Sequence, residues 1–228
     1  MGNMKKALSY VILCVAVPAV VLAGAYLFGS KQYAWISLCV MLISCVPFFL
    51  RFEKGAADIK ELVIIAVMVS LSVVGRILFA VVPGFKPVTA VVVITAIYFG
   101  SEAGFMTGAL SAVISNFYFG QGPWTPFQMF SWGIIGFIAG LLSKGLRRNR
   151  LLLCVFGVFS GVLYSMLMDV WTVLWADGYF NLSRYLAAVV SALQFTVIYA
   201  VSNVVFLMIF IKPVGKVLDR IKTKYALK

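Results

Sequence analysis

Eight apolar runs, parted by short loops, make up most of this chain. They cover about residues 8–28, 33–50, 62–82, 88–99, 103–119, 126–142, 151–175 and 185–211. Inside a bilayer no water is available to backbone N–H and C=O groups, so runs of this kind must satisfy them within helices. Composition points the same way. Hydrophobic residues are 63% of the chain and charged residues 11%, where a soluble domain carries about 45–50% and about 25%. The mean hydropathy is +1.06. The expected fold class is an all-α integral membrane protein. The first run follows Lys5-Lys6 and contains Ala23-Gly24-Ala25, a small-residue stretch like a cleavage site. It is too long for a signal-peptide core and a second run follows at once, so it reads as a membrane pass.

Runs four and five are short. Twelve residues span only about 18 Å of a core about 30 Å thick. Read as one pass, 88–119 would be about 48 Å long with Glu102 in its middle. Charge decides between the readings. With two passes, fifteen Lys and Arg residues fall on one side and three (Lys31, Lys86 and Arg184) on the other; with one pass the split is six against twelve. The excess of positive charge on cytoplasmic loops favours eight passes with both termini cytoplasmic. Gly100 to Gly104 is then a tight cytoplasmic turn. Ser101 is a candidate cap of the next helix, with Glu102 well placed near its N-terminus.

The net charge of +12 does not indicate nucleic acid, because the basic residues sit in short loops between apolar runs. There is no histidine. Cys14, Cys39, Cys45 and Cys154 each lie within an apolar run, as small fillers. The chain has no P-loop, no HExxH, no GxSxG and no carboxylate cluster. Neither catalysis nor a cofactor or metal is expected.

Two ionisable side chains fall well inside the runs, Arg76 and Asp169. On the eight-pass topology both lie in the outer part of the membrane, where a charge is costly unless paired or wet. They form a structural ion pair, or one or both line an outward-facing solute cavity; the two readings are compatible. Asn116, Gln121 and Gln128 share that level, and Gln194 is nearer mid-membrane. Trp124, Trp171, Trp175 and Tyr179 lie at the outer end and fit an interfacial belt. Trp124, held between Pro123 and Pro126, is also a candidate flat wall. The inner half carries little polarity beyond Asn203. The candidate substrate-binding residues are Arg76, Lys86, Asn116, Gln121, Trp124, Gln128, Asp169 and Trp171, offering charge, amides and aromatic surface.

Small residues mark packing faces. Gly100, Gly104, Gly108 and Ala112 recur every four residues in run five, and Gly133, Gly136 and Gly140 line run six. These two stripes are expected to meet. Ala66 and Ser70 form a weaker small pair on run three, suited to internal packing or to a membrane partner.

Several blocks together resemble the substrate-specific S components of energy-coupling factor (ECF) transporters. They are Gly75-Arg76, the Pro83–Pro87 loop, Gly100 to Phe105, Ser115-Asn116, and Gly120-Gln121-Gly122-Pro123-Trp124-Thr125-Pro126. The resemblance covers 61–211 and is strongest to the cobalamin or corrinoid branch. It implies a six-helix core at 61–212, preceded by two extra transmembrane helices at 1–60 and followed by a basic cytoplasmic tail at 213–228. It implies a bacterial cell-membrane protein that captures a vitamin under lid loops, the Pro83–Pro87 loop being one. The implied partners are a transmembrane coupling protein, which Ala66 and Ser70 would face, and two ATP-binding subunits. The alternatives are an autonomous ion-coupled transporter working through Asp169, and an S component for another vitamin or precursor.

Overall fold

The computed structural model describes residue 43, residues 59–178 and residues 180–225. The two N-terminal runs apart from Ile43, the basic loop after them and Tyr179 lie outside the described residues. Every regular element among the described residues is a helix. In chain order they are α1 (Ile59–Leu78), α2 (Val88–Phe99), α3 (Ser101–Phe119), α4 (Thr125–Leu141), α5 (Ser143–Arg148), α6 (Arg150–Asp177), α7 (Leu182–Ser191) and α8 (Leu193–Tyr225). Of these, α1, α6 and α8 are long and apolar enough to cross a bilayer.

The short second helix is the centre of the bundle. α2 is apolar on every side, and all of its residues are buried, as a helix with no polar face requires. It packs against α1, α3, α4 and α8. It ends at Gly100, whose φ of 91° and ψ of 178° suit glycine alone. There the chain reverses into α3, so 88–119 forms two helices rather than one. Gly100 N–H closes α2 on Ala96 O at 2.9 Å, and Gly104 N–H opens α3 on Gly100 O at 3.1 Å. Ser101 does not cap α3. It is the helix's first residue, and no side chain caps this N-terminus.

The two glycine stripes meet as expected. A Cβ placed on Gly104 would stand 2.7 Å from Gly136 O, and one on Gly108 would meet Trp132 O and the Gly133 N–H group. One on Gly133 would strike the Phe105 ring at 2.6 Å. α3 and α4 therefore touch backbone to backbone, which only glycine allows. A similar approach joins α6 to α8, where a Cβ on Gly161 would lie 2.5 Å from Ala200 N.

The last apolar run, expected as one helix over 185–211, is two. α7 and α8 meet at Ala192, which keeps right-handed backbone angles. α8 then continues past Pro213 to Tyr225, so most of the basic stretch after 211 is helical. This end of α8 closes the base of the bundle. Lys222 Nζ donates to Tyr98 O at 2.8 Å, capping the C-terminus of α2, where carbonyls lack helical partners. Arg147 pairs with Asp219 at 2.7 Å and lies over the Tyr98 ring.

The outward faces are apolar. Val63, Val67, Leu71, Val74 and Leu78 of α1 are exposed, as are Leu151, Val155 and Val158 of α6. Such continuous apolar surface belongs against lipid or a membrane partner. Ala66 and Ser70 are also exposed on α1, with Ser70 Oγ donating to Ala66 O at 2.9 Å.

Candidate solute-binding site

The end of the bundle opposite Lys222 is polar inside. Its key residue is Arg76, in the last turn of α1 and only 7% exposed. The loop after α1 folds back over it. A Cβ on Gly75 would lie 2.5 Å from Pro87 Cγ, and Gly84 turns the loop with a φ of 74°. Ser202 of α8 clamps the loop: its Oγ accepts from Lys86 N at 2.9 Å and donates to Lys86 O at 3.1 Å. The rings of Phe79 and Phe85 each lie 5.0 Å from that of Phe206 and anchor the same loop. Lys86 is thereby held with Nζ 5.1 Å from the centre of the Phe119 ring.

Arg76 starts a directed chain of hydrogen bonds. Its Nη1 donates to Ser115 Oγ and, at 2.8 Å, to Asn116 Oδ1. A guanidinium only donates, so the Asn116 amide must turn its oxygen toward Arg76 and its nitrogen away. Asn116 Nδ2 then donates to Thr125 Oγ1 at 2.9 Å and to Gln128 Oε1 at 2.8 Å. Gln128 Nε2 in turn faces the Tyr164 hydroxyl at 3.4 Å. The guanidinium also lies 4.6 Å from the Phe119 ring centre and 5.1 Å from that of Trp132. Desolvating such a charge costs several kcal/mol, and a ring face offsets about 2 kcal/mol when water is excluded.

Arg76, Lys86, Thr89, Gln128, Trp132, Tyr164, Tyr199 and Asn203, with Gly84 and Val88, line a cavity of about 130 Å³. Trp132 and Tyr164 stack with centroids 5.1 Å apart, and Tyr199 meets Tyr164 edge-on at 5.2 Å. Burial, and then the nearby Arg76 charge, hold the Lys86 ammonium below the usual lysine range.

The eight candidate residues separate into groups. Arg76, Lys86 and Gln128 line the cavity, and Asn116 joins Arg76 to Gln128 behind its wall. Gln121 is exposed and works as a loop brace, donating to Val113 O at 2.9 Å and accepting from Thr125 Oγ1 at 3.0 Å. Trp124 is off the cavity wall. Its ring covers Gly122 and meets Trp171 edge-on at 6.0 Å. Trp171 stacks on Trp175 and packs beside Phe127, Leu174 and Ile43. Asp169 is buried with Oδ2 unpartnered, and it forms no ion pair with Arg76. Gln194 is exposed. Trp132, Tyr164, Tyr199 and Thr89 line the cavity without a sequence expectation behind them, and Asn203, expected as isolated inner-half polarity, joins them. A hydroxyl or indole inside an apolar run was the signal available for them.

These features define a helical, multi-pass membrane protein with a small polar and aromatic chamber near one end. A family model described as the S component of an ECF-type riboflavin transporter matches residues 56–220, and the chain belongs to that family. It is therefore a substrate-binding subunit of an ECF transporter, working with an energy-coupling module. The match is to the riboflavin-type family and not to the corrinoid branch that the sequence blocks most resembled. No curated protein and no solved structure matches the chain.

Proposed function

We propose that the chain captures a riboflavin-type vitamin in the Arg76 cavity and delivers it to an ATP-driven coupling module. The observation that carries this reading is the cavity wall itself. A flat ring system with amide-like edges needs aromatic surface and fixed donors and acceptors, and Trp132, Tyr164 and Tyr199 stand beside the oriented Gln128 amide. The chamber of about 130 Å³ is smaller than the roughly 300 Å³ at which pockets begin to enclose drug-sized ligands. It takes part of a ring, and the rest requires the loop at 79–87 to lift. A corrinoid is many times larger and is a poor fit.

On this reading α1, α2, α3, α4, α6 and the α7–α8 pair supply six membrane passes; the two further passes expected at 1–60 fall outside the described residues but for Ile43, Ile59 and Lys60. The cavity faces outward and both termini are cytoplasmic, as the positive-charge count favours. The exposed Ala66–Ser70 face meets the coupling protein. Asp169 lies off the cavity wall, which argues against an ion-coupled transporter built on it.

The test is a titration of the purified chain in detergent with riboflavin, reading flavin fluorescence, beside cobalamin and thiamin read by calorimetry. Saturable quenching by the flavin alone is expected. Binding of cobalamin or thiamin, with none of the flavin, overturns the assignment.

A further inference from the structure

Among the described residues, the cavity is lined by two cations and no anion. Arg76 is more than nine-tenths buried, its hydrogen-bond acceptors are the neutral Ser115 hydroxyl and Asn116 carbonyl, and its Nε has no partner. Lys86 stands over the same Phe119 ring as Arg76. No Asp or Glu among the described residues lines the chamber. The ion pairs Arg147–Asp219 and Arg184–Asp177 involve neither cation. Asp169 is off the wall. A buried guanidinium without a counter-ion is incomplete, because the ring faces and amides offset only part of its desolvation.

We infer that the ligand itself supplies the missing charge: the solute carries a phosphate monoester or a carboxylate that seats between Arg76 and Lys86, with its ring system against Trp132, Tyr164 and Tyr199. This rests on the cavity being the ligand site, and it narrows the substrate class. Riboflavin is neutral, and would leave both cations unmatched. A planar donor fork such as Arg76 binds either anion with its remaining N–H groups, and Lys86 adds a point charge at the mouth. Burial, and then the nearby Arg76 charge, lower the lysine pKa, as in a site where two cations are drawn together without an anion.

The experiment compares riboflavin, flavin mononucleotide and carboxymethylflavin on the purified full chain by calorimetry, at low and high salt. At least one anionic flavin should bind about tenfold more tightly than riboflavin, and lose that advantage at high salt. The phosphate and carboxylate arms identify which group the site prefers. Lys86→Gln, and separately Lys86→Met as a check on folding, should shrink the ratio to about threefold or less. Riboflavin binding as tightly as both anionic flavins overturns the inference while leaving the flavin reading intact. Should no flavin bind, inorganic phosphate and acetate are tested by thermal shift in the wild type and Lys86→Gln. A rise in Tm confined to the wild type keeps the anion site, and unchanged melting in both removes it.

Discussion

The two ends of the bundle use the same side chains and finish differently. At one end Arg147 and Lys222 gather around Tyr98 and Phe99; at the other Arg76 and Lys86 gather around Phe119. At the Tyr98 end every interaction closes within the protein. Asp219 takes Arg147 at 2.7 Å, and the carbonyl end of α2 takes Lys222 at 2.8 Å. At the Phe119 end the acceptors are neutral, one guanidinium nitrogen has no partner, and a chamber lies alongside. The closed cluster holds helices together. The open one lacks such a partner among the described residues, and on the proposed reading the ligand supplies it, which would distinguish a binding cation from a structural cation of the same chemistry.

The largest expected effect comes from removing the open cation. Arg76→Ala should weaken ligand binding by roughly a hundredfold, as loss of a buried charged hydrogen-bonding partner does. The unliganded protein should melt no lower than wild type, because a poorly compensated charge has gone. Equal loss of stability and affinity would erase the contrast between the ends. Asn116→Asp goes further and makes the open end resemble the closed one. A carboxylate at the position now 2.8 Å from Arg76 Nη1 should raise the Tm of the free chain and lower ligand affinity by about tenfold or more, read by thermal shift and calorimetry.

At the closed end Lys222→Met should cost about 1 kcal/mol through loss of the α2 cap, seen as a lower Tm, with ligand affinity unchanged. A change in affinity without a change in melting would place that end in the binding machinery. The smallest effect is on pH. The Lys86 pKa is lowered from 10.5 by burial and by Arg76, so its charge is lost on raising pH sooner than that of an ordinary lysine. Affinity for an anionic flavin should therefore fall as pH rises, beginning below the range in which an ordinary lysine titrates, and that for riboflavin should change less. An anionic ligand whose affinity rises with pH would contradict the role of Lys86.

Helix content was readable because it depends on composition along the chain. The run at 88–99 is the helix α2 itself, and the glycine stripes at 104, 108, 133 and 136 gave the α3–α4 contact. Turning Gly100 into a reversal followed from charge counting. The site was only half legible, because depth can be counted along a run but rotation about its axis cannot. Arg76 and Asp169 were placed at similar depth and yet do not pair. Trp124 is tied down by Gly122 and Trp171, whereas Trp132, hidden between Ser131 and Gly133 in a run of packing residues, reaches the chamber. The break at Ala192 carries no proline or glycine to announce it.

Whether the Arg76 chamber takes a flavin is decided by fluorescence titration of wild type and Trp132→Ala in parallel. Saturable, one-to-one quenching of flavin emission by the wild type is expected, with clearly weaker binding by a folded Trp132→Ala. A folded wild-type chain that leaves flavin emission unchanged throughout, or a variant that binds as the wild type does, would contradict it.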